Sequence, residues 1–361
     1  MHRVRGAVLA MVLGGCGHSE PFGPQASRPE EPFSDAVPVR LTYASGLNTR
    51  PAFSEDGRSF VYAFPRPDDL PTDEDHDTCL GALPATGGAR RFELCVHAAD
   101  HRRFRDGIEH GALSADGRLA FVQASGLAGN FTVLRAGLFV APADSVRGAR
   151  QVLELRRNPP GGGPIWDYLL DPTWVAPGEL IALAARMELR GPNQSKDTLF
   201  FGHTVVRIRV DDDPLTWTTV ATGMNAGELA LDRSTGTIYL LSHRYFDDVN
   251  LTVIADTVWQ VPLAGGTPVP YFGLPNASSA PVERLFAITA GGGRVLGTRG
   301  RVLGGAAVFD VVTLTADAPP ASLPLTLPGN PGRLALSPDA RVLVAEVFGP
   351  GGITLYRSEV P

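Results

Sequence analysis

Apolar runs split by a short polar turn recur along this chain. Pro51-Ala52-Phe53 and Ser59 to Phe64 flank Ser54-Glu55-Asp56-Gly57-Arg58. Gly111-Ala112-Leu113 and Leu119 to Val122 flank Ser114-Ala115-Asp116-Gly117-Arg118, and Leu334-Ala335-Leu336 and Val342 to Ala345 flank Ser337-Pro338-Asp339-Ala340-Arg341. Each copy predicts strand, tight turn, strand. The Asp carboxylate caps the turn, and the Gly takes a positive φ without a Cβ clash. Flanks that are almost wholly apolar predict strands buried on both faces.

Weaker copies fill the middle. Asp171 to Val175 leads through Pro177-Gly178 into Leu180 to Leu183, and Glu228 to Leu231 leads through Ser234-Thr235-Gly236 into Ile238 to Leu241. Leu285 to Ile288 leads through Gly291-Gly292-Gly293 into Val295 to Gly297. The six turns lie about 47 to 63 residues apart, and the spacings hold two further strand-like runs, such as Thr132 to Ala141 and Gln151 to Leu155. Four antiparallel strands per unit, six times over, predict an all-β chain built as a six-bladed β-propeller. The last unit has a single strand after Val347, Ile353 to Tyr356, while an unassigned strand, Val37 to Tyr43, precedes the first hairpin. Adding this N-terminal strand to the last sheet closes the ring and covers an edge; the alternative is an open arc with two exposed edges. With 41 Gly and 31 Pro in 361 residues, the composition suits turns and opposes long helices.

The first unit resembles the TolB-like, WD40-like propeller repeat. In that family a blade reads Leu-Thr, a short gap, then Pro-x-Phe/Trp-Ser-Pro-Asp-Gly-Lys/Arg before an apolar strand. Leu41-Thr42 through Pro51-Ala52-Phe53-Ser54-Glu55-Asp56-Gly57-Arg58 matches nearly throughout. The second and sixth units match in part and the third to fifth loosely. The resemblance implies the propeller alone. The separate N-terminal domain of TolB has no counterpart here, so its partners are not implied.

The start of the chain reads as an address. Arg3 and Arg5, then Ala7 to Leu13, then Leu13-Gly14-Gly15-Cys16 resemble a bacterial lipoprotein signal over residues 1–16, with Cys16 lipidated. An ordinary signal with an incidental Cys16 is the alternative. The apolar core is too short to span a bilayer. Residues 17–36, with Pro and Glu, read as a flexible tether, and residues 37–361 as the propeller. This predicts a cell-envelope protein anchored to the membrane by lipid. By resemblance to enteric lipoproteins, Gly17 favours the outer membrane, facing the periplasm or the cell surface. Of three Cys, Cys79 and Cys95 remain as a pair placed symmetrically about Gly87. A hairpin there sets them opposite each other as a disulfide; two buried thiols are the alternative. With a net charge of −6, about −8 once Arg3 and Arg5 are removed, and no basic stripe, the chain is expected to be a poor nucleic-acid binder.

Chemistry is harder to find. Residues entering the innermost strands in equivalent register are Arg50, His110, Asp171, Glu228, Leu285 and Arg333. Five are ionisable, and opposite charges on a channel rim suit a polar ligand or a peptide terminus; a set of solvated loop residues that pair with each other is the alternative. The run Asp68 to Asp77, with Asp73, Asp75 and Asp77, offers oxygen ligands for Ca²⁺ but lacks EF-hand spacing and reads better as a solvated acidic loop. His76, His97, His101 and His110 fall close together, yet Arg102, Arg103 and Arg105 crowd them and no HExxH glutamate occurs. No G-x-S-x-G elbow, P-loop or dinucleotide fingerprint occurs, and no cofactor is implied. The leading expectation is a non-enzymatic scaffold whose rim loops engage an envelope protein, peptide or glycan. The alternative is a metal-dependent hydrolase or lyase using His110, Asp171 and Glu228 in the channel.

Overall fold

The computed structural model describes residues 38–42, 46–65, 78–95, 104–127, 132–155, 168–190, 197–213, 215–247, 252–275 and 283–361. Two short strands, β1 (Val39–Arg40) and β2 (Gly46–Leu47), come first. The next eight form two four-stranded meanders: β3 (Thr49–Phe53), β4 (Ser59–Pro65), β5 (Thr78–Pro84) and β6 (Phe92–Cys95), then β7 (Phe104–Leu113), β8 (Arg118–Leu127), β9 (Thr132–Pro142) and β10 (Arg150–Leu155). A seven-stranded sheet follows: β11 (Tyr168–Ala176), β12 (Glu179–Arg190), β13 (Asp197–Arg209), β14 (Thr216–Asp232), β15 (Thr237–Asp247), β16 (Thr252–Pro262) and β17 (Val269–Pro275). Then come β18 (Arg284–Gly291), β19 (Arg294–Leu303), β20 (Ala306–Thr315) and β21 (Ala318–Ser322), and finally β22 (Asn330–Leu336), β23 (Val342–Gly349) and β24 (Gly352–Glu359). Among the described residues there is no α-helix.

The last sheet has the order β1-β24-β23-β22, so a strand from the start of the chain lies beside the strand that ends it. Val39 pairs with Arg357 and Arg40 with Tyr356, antiparallel. Val37 and Tyr43 of the expected strand lie outside the described residues. Beyond the expectation, β2 adds to β24 in parallel, Gly46 opposite Gly352 and Leu47 opposite Ile353. The seven-stranded sheet was also not expected. Residues Thr216 to Thr222 of β14 pair with β13, Ala226 pairs with both β13 and β15, and Glu228 to Asp232 pair with β15. Gly223, at φ 92°, bends the strand between the two pairings.

The first strands β3, β7, β11, β14, β18 and β22 pack each against the next, and β22 packs against β3. Apolar cores fill the spaces between neighbouring sheets. Phe60, Tyr62, Phe64, Ala335, Val344 and Leu355 form one that spans the first and last sheets. Trp174, buried on β11, donates its indole N–H to the Ala112 carbonyl of β7 at 3.0 Å. This is a β-propeller; β4 and β5 are buried along nearly their whole length as the apolar runs require, whereas β10 and β21 are largely exposed.

The recurring turns owe more to their serine than the sequence suggests. Ser54 Oγ donates to Asp56 Oδ1 at 2.7 Å and accepts from the Ser59 N–H at 3.0 Å. Ser337 Oγ likewise donates to Asp339 Oδ1 at 2.6 Å and accepts from the Val342 N–H at 2.9 Å. Gly57 and Gly117 take φ 69° and 80°, whereas the third turn puts Ala340 at φ 59°. A Cβ there costs about 1–2 kcal/mol. Ala340→Gly will therefore stabilise the protein by about 0.5–1 kcal/mol, allowing for the greater freedom of Gly in the unfolded chain. Guanidinium unfolding midpoints check this; an unchanged or lower midpoint counts against it.

Candidate functional site

The six first strands line one cavity of about 140 Å³, room for a few waters or the polar end of a ligand. Arg50, His110, Asp171, Glu228 and Arg333 all border it. Leu285 does not. It is sealed in the core between the third and fourth sheets, and Ile288 and Thr289 line the cavity from β18 instead. On β18 the Ile288 N–H makes the junction bond that the Leu229 N–H makes on β14, so the position matching Glu228 is Ala287, two residues beyond Leu285.

The charged groups are interlocked. His110 Nδ1 lies 3.1 Å from Asp171 Oδ1 and 3.2 Å from the Asp171 N–H, so the ring tautomer decides which of the two is bonded. Arg50 Nη1 is 3.5 Å from the same nitrogen. Arg333 Nη1 lies 3.0 Å from Glu228 Oε1 and 3.8 Å from Asp171 Oδ1. Arg50 and Asp171 hold left-handed backbone, φ 54° and 47°. That conformation is strained for residues with a Cβ and costs of order 1–3 kcal/mol each.

Much of this network joins sheets. A first strand has one ladder edge with no strand beside it, and its N–H groups need acceptors. Side chains from neighbouring strands supply them, most from the preceding four-stranded unit. Thr78 Oγ1 accepts from Ile108 N–H at 2.9 Å. Asp171 Oδ2 accepts from Leu229 N–H at 3.0 Å, Glu228 Oε2 from Ile288 N–H at 2.8 Å, and Thr289 Oγ1 from Leu336 N–H at 2.9 Å. Glu346 on β23 accepts from the Arg50 N–H at 2.6 Å with one oxygen and from the Arg333 N–H at 3.0 Å with the other. Sequence reasoning missed Glu346. It also missed Asp256, fully buried on β16, which accepts from His243 Nδ1 at 2.6 Å, Arg284 Nε at 2.9 Å and Leu285 N–H at 2.7 Å. A lone carboxylate inside an apolar run, as in Val342 to Val347, was the signal available for Glu346.

The two carboxylates at the mouth titrate in opposite directions. Burial pushes Asp171 up, but the His110 hydrogen bond and the charges of His110, Arg333 and Arg50 outweigh it and hold the group well below its usual 3.8. Burial also pushes Glu228 up, with Asp171 adding repulsion, and here Arg333 does not reverse it, so the group stays above its usual 4.5. The folded state therefore takes up the Glu228 proton before the unfolded chain does. Stability rises as pH falls from the raised value toward 4.5. The Asp171 contribution is complete above 3.8 and is lost as pH falls below it. Unfolding followed between about pH 3 and pH 8 will show a mildly acidic maximum, and Glu228→Gln will remove its alkaline slope. A wild-type profile with no such slope contradicts this reading.

Other candidates separate from the site. Cys79 and Cys95 are joined as a disulfide. Asp73, Asp75, Asp77, His76, His97, His101 and Cys16 lie outside the described residues. Among the described residues, the group of three His, Cys, Asp or Glu donors within 4.8 Å of one another is Cys79, Glu93 and Cys95, whose sulfurs are already bonded to each other. His110, Asp171 and Glu228 do not converge to that degree, and Arg333 reaches both carboxylates. Among the described residues no helix is long and apolar enough to cross a membrane.

No family model matches the chain, and no curated protein matches it. Solved structures do. A Trypanosoma rangeli sialidase in complex with sialic acid aligns over 90% of this chain and 57% of its own at 9% identity, TM-score 0.51. XC5397 of Xanthomonas campestris, described as a gluconolactonase, aligns over 91% of this chain and 98% of its own at 16% identity, TM-score 0.50. The Cps50 (Swd1) β-propeller domain of Myceliophteria thermophila aligns over 86% and 83% at 10% identity, TM-score 0.47. The chain thus spans little more than half the length of the sialidase. At these identities the likeness concerns the fold alone.

Proposed function

We propose that this chain is a six-bladed, closed propeller of the bacterial cell envelope that binds a partner at its channel mouth without catalysing a reaction. Dividing the seven-stranded sheet at Gly223 gives six blades, five of four strands and a last one in which β1 is the fourth strand and β2 a fifth. The pairing of β1 with β24 and the packing of β22 on β3 support closure. The TolB-like reading rests on Leu41-Thr42 and on Pro51 to Arg58. The envelope reading rests on Leu13 to Cys16 and agrees with a disulfide, which persists in oxidising compartments. In this reading Cys16 carries the lipid, residues 17–36 hold the propeller off the membrane, and the partner is an envelope protein, peptide or glycan.

One observation carries the binding function. Arg50, His110, Asp171, Glu228 and Arg333 come from five different first strands to one cavity, and two of them hold strained backbone there. Junction bonds account for the carboxylates, and Arg50 and Arg333 bring two guanidiniums to the same mouth. A metal-dependent hydrolase is disfavoured because Arg333 bridges the carboxylates that would have to ligate the ion. Purified mature protein, immobilised and exposed to envelope extract, tests the binding role. Arg50→Asn keeps a residue type that tolerates left-handed backbone and will weaken partner affinity about tenfold, the equivalent of about 1.4 kcal/mol. Equal retention by wild type and variant counts against the mouth as the site. Metal in the purified protein, with a chelator-sensitive Tm, favours the hydrolase.

A further inference from the structure

Two neighbouring hairpins carry no polar side chain at their tips. The first, β19–β20, reads Val302-Leu303-Gly304-Gly305-Ala306-Ala307-Val308-Phe309, and the second, β23–β24, reads Val347-Phe348-Gly349-Pro350-Gly351-Gly352-Ile353. Surface turns are ordinarily built from polar residues. Here Val302 to Ala307 are six exposed residues in a row, with Leu303 50% exposed, and Phe348 to Gly351 are four more, with Phe348 51% exposed. Phe286 extends the first tip: it is half exposed, and its ring stands 5.4 Å from that of Phe309. Leu47 extends the second, exposed on β2 opposite Ile353. Both tips lie at one end of the fold. β19 and β23 run to them from the turns at Gly291 to Gly293 and Ser337 to Arg341, and those turns adjoin, since a Cβ on Gly292 would sit 2.8 Å from that of Ala340. Farther along, Thr298 Oγ1 on β19 donates to the Gly332 carbonyl on β22 at 2.6 Å, so the two sheets stay in contact toward the tips.

The tips fit a lipid surface better than a second protein. A stable protein interface uses about 20–30 residues a side and about ten hydrogen bonds. The tips offer a few apolar side chains and no polar one to set a register. A bilayer asks only for apolar area at its headgroup boundary. The length of chain ahead of the fold also counts. From Cys16 to Pro38 the chain advances 22 positions (38 minus 16), a reach of at most about 75 Å. That is more than twice the roughly 33 Å of a ten-residue strand, so an anchor at Cys16 leaves either end of the propeller free to meet the membrane. From this juxtaposition we infer that the β19–β20 and β23–β24 hairpins insert into the headgroup region of a bilayer. They form a second membrane contact and hold this end of the propeller to the lipid surface. The inference takes the nearness of a membrane from the reading of Cys16 and is independent of the channel mouth.

The full mature chain with Cys16→Ser carries no acyl group, so its flotation with phosphatidylethanolamine–phosphatidylglycerol vesicles reads the hairpins whether or not Cys16 is lipidated in the cell. It should float, and equally well at about 0.1 M and about 1 M salt, because the tips are uncharged. Leu303→Ser combined with Phe348→Ser should lower vesicle affinity at least about tenfold, with circular dichroism and Tm showing that the variant folds. Val269→Ser is the control. Val269 is 48% exposed but pairs with Gln260 near the turn end of its sheet, and its loss should leave flotation unchanged. A polarity-sensitive fluorophore on Ala306→Cys should shift to the blue when vesicles are added, and one on Val269→Cys should not, a reading that needs no change to the apolar side chains of either tip. Absence of flotation overturns the inference, as does flotation abolished by salt or weakened as much by Val269→Ser as by the tip variant. A dimer seen by light scattering and broken by Leu303→Ser, with no flotation, assigns the tips to a second copy of the chain and overturns the choice of lipid.

Discussion

Glu346→Ala will destabilise the protein by about 2–4 kcal/mol, because it strands two backbone N–H groups that are costly to leave unpaired when buried. The side chain is 3% exposed, and each oxygen serves one donor, Arg50 N–H on β3 and Arg333 N–H on β22. No neighbouring carboxylate can substitute, since those of Asp171 and Glu228 already accept from Leu229 and Ile288. The loss falls where the first and last sheets meet. Amide exchange should therefore accelerate most in β1 to β4 and β22 to β24, and least in β11 to β13. Glu346→Gln will recover part of the loss, since its one carbonyl can serve one donor. Glu359→Ala is the control. Glu359 is half-buried on β24, pairs with Arg357 at 2.8 Å, and should cost under about 1 kcal/mol. Chemical denaturation measures all three. If Glu346→Ala costs no more than Glu359→Ala, the junction is held by its apolar core of Phe60, Ala335, Val344 and Leu355, and the carboxylate is incidental.

The all-β architecture was legible because its turns carry chemistry that few other local structures need. A Ser, an Asp two residues on and a Gly after it make one hydrogen-bonded unit, and it recurs at Ser54, Ser114 and Ser337. The third copy stayed readable although Ala340 stands where Gly is expected. What escaped were features with no local signature. β14 runs through from one four-stranded unit to the next because Gly223 bends it, and one Gly in a Thr-rich run does not stand out. The parallel pairing of β2 with β24 joins Gly46 and Leu47 to residues more than 300 positions away, where periodicity carries no information.

The mouth was legible in part for the same reason. Arg50, His110, Asp171, Glu228 and Arg333 stand at similar offsets from their turns, so counting back from the turn brought all five to the cavity they line. Counting failed for Leu285 because it stopped two residues short: Ile288 takes the junction bond that Leu229 takes on β14, so Ala287 stands where Glu228 does. Glu346 and Asp256 come from second and third strands, which the counting never sampled. Their role follows from the unpaired ladder edge of each first strand, a property of the assembled sheets that no single repeat displays.

Removing the bridge between Cys79 and Cys95 will cost about 3 kcal/mol, the loop-entropy value for closing a segment of this length. The two residues are 16 apart in sequence and face each other directly in the β5–β6 ladder. β6 is four residues long and lies at the outer edge of its sheet, held otherwise by the pairs Leu80–Leu94, Gly81–Glu93 and Ala82–Phe92. So short an edge strand has little else to resist fraying. The double variant Cys79→Ala, Cys95→Ala should show the loss in guanidinium unfolding, with amide exchange accelerated in β6 well before β4. The same loss should follow reduction of the wild type, and the variant should be insensitive to reductant. Cys79 is fully buried, so the double variant also loses a small apolar contact on β5; reduction alone leaves that contact in place and isolates the covalent link. A wild-type midpoint that does not move under a reductant shown to free both thiols would mean that the ladder alone fixes β6, and that the cysteines contribute packing and nothing more.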